Sequence, residues 1–201
     1  MNTLKWLVPV GVIGILAFSL LSWVIGFKNT AVKYEENAKK SWSAVESSYQ
    51  RRNDLIGSLV KTVQGAAKFE KSTLTAVIEA RSKATSVTID PSKSTQEQME
   101  AYQKSQGNVN SSLSRLLVSV ESYPELKANA NFLELQKEIT GTENRINMSR
   151  NSYNESIEPY NIFIKGFPNS ILAGFFSLKE MNYYKSDPGS EKAPEIEFNF
   201  E

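Results

Sequence analysis

Residues 6–27 contain no charged side chain and are bounded by Lys5 and Lys28. As a helix, these 22 residues extend about 33 Å, enough to cross a hydrocarbon core of about 30 Å. A cleaved signal peptide has a shorter apolar region, about 7–15 residues, ahead of a small-x-small site. The one plausible site is Ala17-Phe18-Ser19, and cutting there leaves Leu20, Leu21, Trp23, Val24, Ile25 and Phe27 in water. Cysteine is absent, which excludes attachment through a lipidated cysteine. The expected organisation is an uncleaved anchor over residues 1–28, with Trp6 and Trp23 suited to the membrane interfaces. Lys5 and the amino terminus stand on one side, and Lys28, Lys33, Lys39 and Lys40 on the other. Basic residues favour the cytoplasmic side, so the count predicts a cytoplasmic carboxy-terminal domain and a short amino terminus outside.

The chain beyond the anchor is patterned for helices. Ala38, Trp42, Val45, Tyr49, Arg52, Ile56, Leu59, Val63 and Ala66 recur at alternating spacings of four and three, a heptad stripe of the coiled-coil kind. Gly65 is a candidate break, leaving the first helix either continuous or jointed there. Asp90-Pro91-Ser92 is turn chemistry, and Ser94-Thr95-Gln96-Glu97 reads as a capping box opening a second helix. That helix carries Met99, Tyr102, Gln106, Val109, Leu113, Leu116 and Val120 and stops before Pro124. A third, starting near Ser122 or Asn131, carries Phe132, Gln136, Ile139, Glu143, Ile146, Arg150, Tyr153, Ile157, Tyr160 and Ile164, with Pro159 expected to kink it. After Phe167-Pro168 a shorter helix is predicted to reach about Tyr184. The predicted fold is therefore all-α: an N-terminal membrane helix, then an elongated antiparallel bundle over residues 29–185 of three long helices plus a shorter fourth. Residues 186–201 form a polar tail, loosely docked or disordered.

Several blocks resemble the LemA family. The first comprises Ser41-Trp42-Ser43-Ala44-Val45, Arg51-Arg52-Asn53-Asp54-Leu55-Ile56 and Leu59-Val60-Lys61-Thr62-Val63-Gln64-Gly65. The second comprises Tyr123-Pro124-Glu125-Leu126-Lys127-Ala128-Asn129, Phe132, Leu135-Gln136 and Thr142-Glu143-Asn144-Arg145-Ile146. Tyr153-Asn154, Tyr160-Asn161 and Phe167-Pro168 complete the likeness. The resemblance implies a single-pass bacterial membrane protein with a helical-bundle domain and an outside amino terminus. It implies no catalytic residues.

Composition removes most chemistry. Without His or Cys there is no nucleophilic thiol, no imidazole base and no zinc site with nitrogen or sulfur ligands. No phosphate-binding glycine loop appears, and no metal or cofactor is expected. Of the 23 Lys/Arg only Lys5 precedes residue 28, so they balance the 22 Asp/Glu beyond it, against a nucleic-acid binder. Three Asn-x-Ser matches, at Asn110, Asn147 and Asn154, fall on predicted helices and are read as chance.

Polar residues on the apolar stripes stand out: Arg52, Gln136, Glu143 and Arg150. A buried charge is costly unless paired, so Arg52 and Glu143 are candidates for an ion pair that sets helix register. A solvent-exposed stripe edge and a ligand-binding role are the alternatives. A second group, Phe175, Phe176, Tyr183 and Tyr184 with Phe167, either caps the core or forms a partner patch. If the first helix is unbroken, three passes place this group far from the bilayer. The favoured function is a membrane-tethered, non-enzymatic adaptor or scaffold that binds a protein partner or self-associates. The rivals are a small-molecule-binding or hydrolytic domain around Glu143 and Arg150, and a membrane-shaping oligomer.

Overall fold

The computed structural model describes residues 3–65 and 69–185. Among these the chain forms six helices and no strand: α1 (Thr3–Gln64), α2 (Lys71–Ser86), α3 (Gln96–Val120), α4 (Pro124–Lys127), α5 (Ala130–Lys165) and α6 (Asn169–Phe175). The expectation for residues 186–201, like the stripe position Ala66, lies outside the described residues.

The 62-residue α1 begins in the apolar stretch and continues without interruption into the bundle. It is long and apolar enough to cross a membrane, and its most apolar window is only 6% buried, unlike the core helix of a soluble protein. Leu7, Ile13, Phe18 and Leu21 project away from the protein; packing begins at Trp23, Val24 and Phe27. From there α1 lies along α5. Phe27 meets Phe163 with ring centroids 5.2 Å apart, Trp42 meets Tyr153 at 4.9 Å, and Arg52 meets Glu143 at 3.1 Å. Numbers rise on one helix as they fall on the other, so the pair is antiparallel.

The predicted first helix does not run on past Gly65: α1 ends at Gln64, and Gly65 forms a turn with its amide donating to the Lys61 carbonyl at 3.3 Å. Glycine weakens a helix interior, and burial of Phe69, Leu74 and Val77 beside Leu59, Val60 and Val63 favours a chain that folds back here. The bundle therefore makes four passes. α1 runs away from the apolar stretch, α2 returns, α3 runs away again and α5 returns. This joint overturns the placement of the late aromatics far from the apolar stretch, because α5 brings them back to Phe27.

Three boundaries differ from the sequence reading. The capping box of α3 is Thr95 with Gln98, one residue later than Ser94 with Glu97: Thr95 Oγ1 accepts from the Gln98 amide at 3.2 Å, and Gln98 Oε1 accepts from the Thr95 amide at 2.9 Å. Both segments proposed as the third helix's start contain helix. The single turn α4 follows Tyr123, then Asn129 rather than Asn131 caps α5 by accepting from the Phe132 amide at 3.1 Å. α5 carries on through Pro159 to Lys165. The last helix stops at Phe175, well short of Tyr184, where Ser177 turns through φ 53° and the chain continues extended.

The capping register is measurable. Thr95→Ala is expected to cost about 1 kcal/mol in chemical denaturation, as loss of an N-cap does. Ser94→Ala is expected to be neutral, because the buried Ser94 Oγ has no hydrogen-bond partner. The reverse order would restore the cap to Ser94.

Candidate functional site

The apolar core is divided in two. One cluster contains Tyr49 and the preceding stripe of α1, Met99 and Tyr102 of α3, and Ile146 to Ile164 of α5. The other contains Ile56 to Val63 of α1, Val109 to Val120 of α3, and Phe132 and Ile139 of α5. On each helix the position between them is polar: Arg52, Gln106, and Thr142 with Glu143.

Arg52 is fully buried and fills this layer. Its Nη1 donates to Asn110 Oδ1 at 2.7 Å and to Glu143 Oε1 at 3.1 Å. Its Nη2 donates to Gln106 Oε1 at 2.7 Å and reaches the Gln106 carbonyl at 3.5 Å. The guanidinium carbon lies 4.8 Å from the centre of the Tyr49 ring. Gln106 Nε2 in turn donates to the Ala84 carbonyl of α2 at 3.4 Å, so one cation joins α1, α3 and α5 directly and α2 through its neighbour. Only Nε lacks a partner. Planar guanidinium suits this work because its donors fan out in one plane toward several acceptors. Its neighbour Arg51 points elsewhere, to a surface pair with Glu138 at 2.6 Å.

The other stripe residues divide. Glu143 is 28% exposed while holding Arg52. Arg150 is half-buried, stacks at 4.0 Å over the Tyr184 ring and donates to the Lys185 carbonyl at 2.8 Å. Gln136 is half-buried outside this network, its carbonyl accepting from the Thr140 hydroxyl at 3.0 Å. A groove of about 330 Å³ does border the layer, but Glu46, Tyr49, Asn53, Tyr102 and Gln106 line it, not Glu143 or Arg150.

The sequence reading gave no role to Asn154 and Asn161, and they hold the end of the fold together. Asn154 donates to the Tyr184 carbonyl at 2.9 Å and accepts from the Tyr184 amide at 2.8 Å. Asn161 makes the same pair with Met181, at 3.0 and 2.9 Å. Seven residues of helix rise about 10.5 Å and three extended residues span about 10 Å, so the two spacings match. Each carboxamide thus imitates a strand partner for the strap that follows α6. The repeated pair Tyr153-Asn154 and Tyr160-Asn161 is the visible signal: tyrosine faces the core and the next residue faces the strap. Tyr153 also donates to the Asn182 carbonyl at 3.1 Å.

The aromatic group is likewise split. Tyr184 is buried, its hydroxyl 2.6 Å from that of Tyr49. Phe176 is half-buried against Phe27, whereas Tyr183 and Phe175 are exposed. Burial, with Tyr184 beside it, pushes the Tyr49 phenol far above its ordinary value, and burial does the same to Tyr102 and Tyr153. These phenols stay neutral near pH 7 and serve as hydrogen-bonding and packing groups.

Removing the guanidinium strands acceptors on two other helices. Arg52→Met is expected to cost about 3–5 kcal/mol in denaturation of the detergent-solubilised chain, the range for breaking a buried pair. Glu143→Gln, partly exposed and still an acceptor, is expected to cost about 1 kcal/mol. Shifts below about 0.5 kcal/mol for both would reduce the layer to surface chemistry. For the tyrosines, a raised folded-state value means their contribution is whole below the ordinary 10.0 and is lost as pH climbs past it. Stability measured against pH is expected to fall from there upward, and less steeply in Tyr102→Phe.

The chain has recognisable relatives. The model of the LemA family matches residues 41–198. Magnetosome protein MamQ 2 of Paramagnetospirillum magneticum is 25% identical over 202 residues, covering 92% of this chain and 74% of that protein. Magnetosome protein MamQ of Magnetospirillum gryphiswaldense is 26% identical over 199 residues, covering 88% and 73%. Protein LemA of Metamycoplasma hominis is 25% identical over 193 residues, covering 92% and 84%. None of these names denotes a reaction. The family match takes in the Arg52 layer, both asparagine clamps and the strap, and the chain belongs to the LemA family.

Proposed function

We propose that this protein is a membrane-anchored, non-enzymatic adaptor or scaffold, a single-pass protein of a bacterial cell membrane that works by protein contact from the cytoplasmic side. One observation carries the reading: α1 joins the exposed apolar stretch to the bundle as a single unbroken helix. A rigid arm of this kind holds the bundle at a set height and orientation above a bilayer, which is useful to a docking surface. The interior polar groups support the same view. Arg52, Gln106, Asn110 and Glu143 satisfy one another rather than converging on an open site. The lysines at 28, 33, 39 and 40 support a cytoplasmic bundle.

Contact surfaces remain on the far half of the bundle, where Val118 of α3 and Leu133 of α5 are exposed apolar residues. A photoreactive residue at Val118 in the full chain, activated in cells, is expected to give a discrete adduct, either with a second copy or with another membrane-proximal protein. A strictly monomeric chain that yields no adduct from Val118 would remove the basis for a scaffold.

A further inference from the structure

Residues 166–178 form a second uncharged run, bounded by Lys165 and Lys179 much as residues 6–27 are bounded by Lys5 and Lys28. Thirteen residues are too few to span a bilayer; runs of about 10–14 are either buried in a core or interfacial. Here the run is only half buried. Leu172 and Ala173 of α6 face the bundle, while Ile171 and Phe175, one helical turn apart on the other face, are 61% and 80% exposed. Phe167 just before α6 is 86% exposed, and Ile162 in the last turn of α5 is 63% exposed. Other large exposed apolar groups beyond the N-terminal stretch, such as Ile78, Val118 and Met148, are dispersed over α2, α3 and α5.

The level of this corner is fixed by packing. The Phe163 and Phe176 rings stack on Phe27 at 5.2 and 6.2 Å, and Lys28 Nζ lies 5.1 Å from the Phe176 ring centre. Trp23 and Val24 pack against the same cluster. The contacts of the α5–α6 corner thus reach the final turn of the apolar stretch itself.

We propose that residues 166–178 enter the headgroup region of the bilayer that residues 6–27 cross, with Phe167, Ile171 and Phe175 as the inserted side chains. This inference rests on the reading of residues 6–27 as a membrane span. Lipid is the occupant because the surface continues the apolar stretch sideways at the depth where that stretch must leave the hydrocarbon. Flanking Lys28 and Lys179 suit phosphate headgroups, Lys165 being paired with Glu180 at 2.8 Å, and aromatic and branched apolar side chains are those that interfacial segments bury. The bundle then stands on two feet, so the second contact limits how far α1 can tilt.

The absence of cysteine makes the test direct. Single-cysteine variants Phe18→Cys, Ile171→Cys, Phe175→Cys and Met148→Cys of the full chain carry a nitroxide in phosphatidylcholine–phosphatidylglycerol vesicles. Met148 is 72% exposed and lies about 30 Å along the bundle from Phe27. The expected result is that labels at 171 and 175 lose relaxation by an aqueous nickel chelate and gain it from oxygen, as at 18, while the label at 148 stays chelate-accessible. A label at 18 in lipid with 171 and 175 in water overturns this proposal and leaves the anchor standing. Water access at 18 as well overturns the anchor and the proposal together. Dipolar broadening at 175 that vanishes on dilution with unlabelled chain assigns the surface to a second copy and overturns it too.

Discussion

A guanidinium withdrawn from water must find acceptors on every side, and in this bundle three helices supply them to Arg52. The requirement is geometric as well as energetic. Asn110 Oδ1, Gln106 Oε1 and Glu143 Oε1 reach the same cation only when α1, α3 and α5 stand in one relative register. Sliding α3 by a heptad would put Met99 or Leu113 in the place of Gln106, and sliding α5 would put Gln136 or Arg150 in the place of Glu143, so the anionic partner or an acceptor is lost either way. The two apolar clusters on either side supply the bulk of the burial but tolerate sliding far better, since one branched side chain replaces another with modest loss. The polar layer therefore contributes specificity, and the clusters contribute cohesion.

The strap after α6 shows the same logic in a different form. An extended segment lying on a helix has no neighbouring strand to satisfy its backbone, and an amide left unpaired beneath other groups is costly. Asn154 and Asn161 each satisfy one residue of the strap through both its amide and its carbonyl. Tyr184 is then held with its hydroxyl against Tyr49 and its face against Arg150. The end of the described chain is thus stitched to α1 and α5 beside the Arg52 layer.

Chain direction links these interior contacts to the apolar stretch of α1. The antiparallel pairing of α1 with the long α5 carries the chain back along the arm it came out on. The α5–α6 corner consequently arrives beside Trp23, Val24 and Phe27 rather than at the remote end of the bundle. With an even number of passes, residues more than a hundred positions apart in sequence share one level at the end of the apolar stretch.

The periodicities and the uncharged run were enough, by themselves, to specify helices, their apolar faces, an apolar arm and the membership that the ordered blocks suggest. Those properties depend on local geometry: 3.6 residues per turn, the preferences of caps, and the charge of neighbours in the chain. Arg52 was conspicuous for the same reason, a charge where the stripe demanded an apolar group. Its acceptors were only partly legible. Glu143 broke its stripe as a charge, whereas Gln106 sat on its stripe uncharged and was not singled out, and Asn110 lay off the stripe. Only the tertiary structure decided that Gly65 is a joint, and with it the number of passes. Propensity there is nearly balanced, and burial of Phe69, Leu74 and Val77 by residues distant in sequence tips it. It also decided that the chain after Phe175 is a strap, because an extended backbone is stable only where Asn154 and Asn161 stand ready on another element. Local sequence sets what each segment prefers; the partner that rewards or overrides that preference comes from elsewhere in the fold.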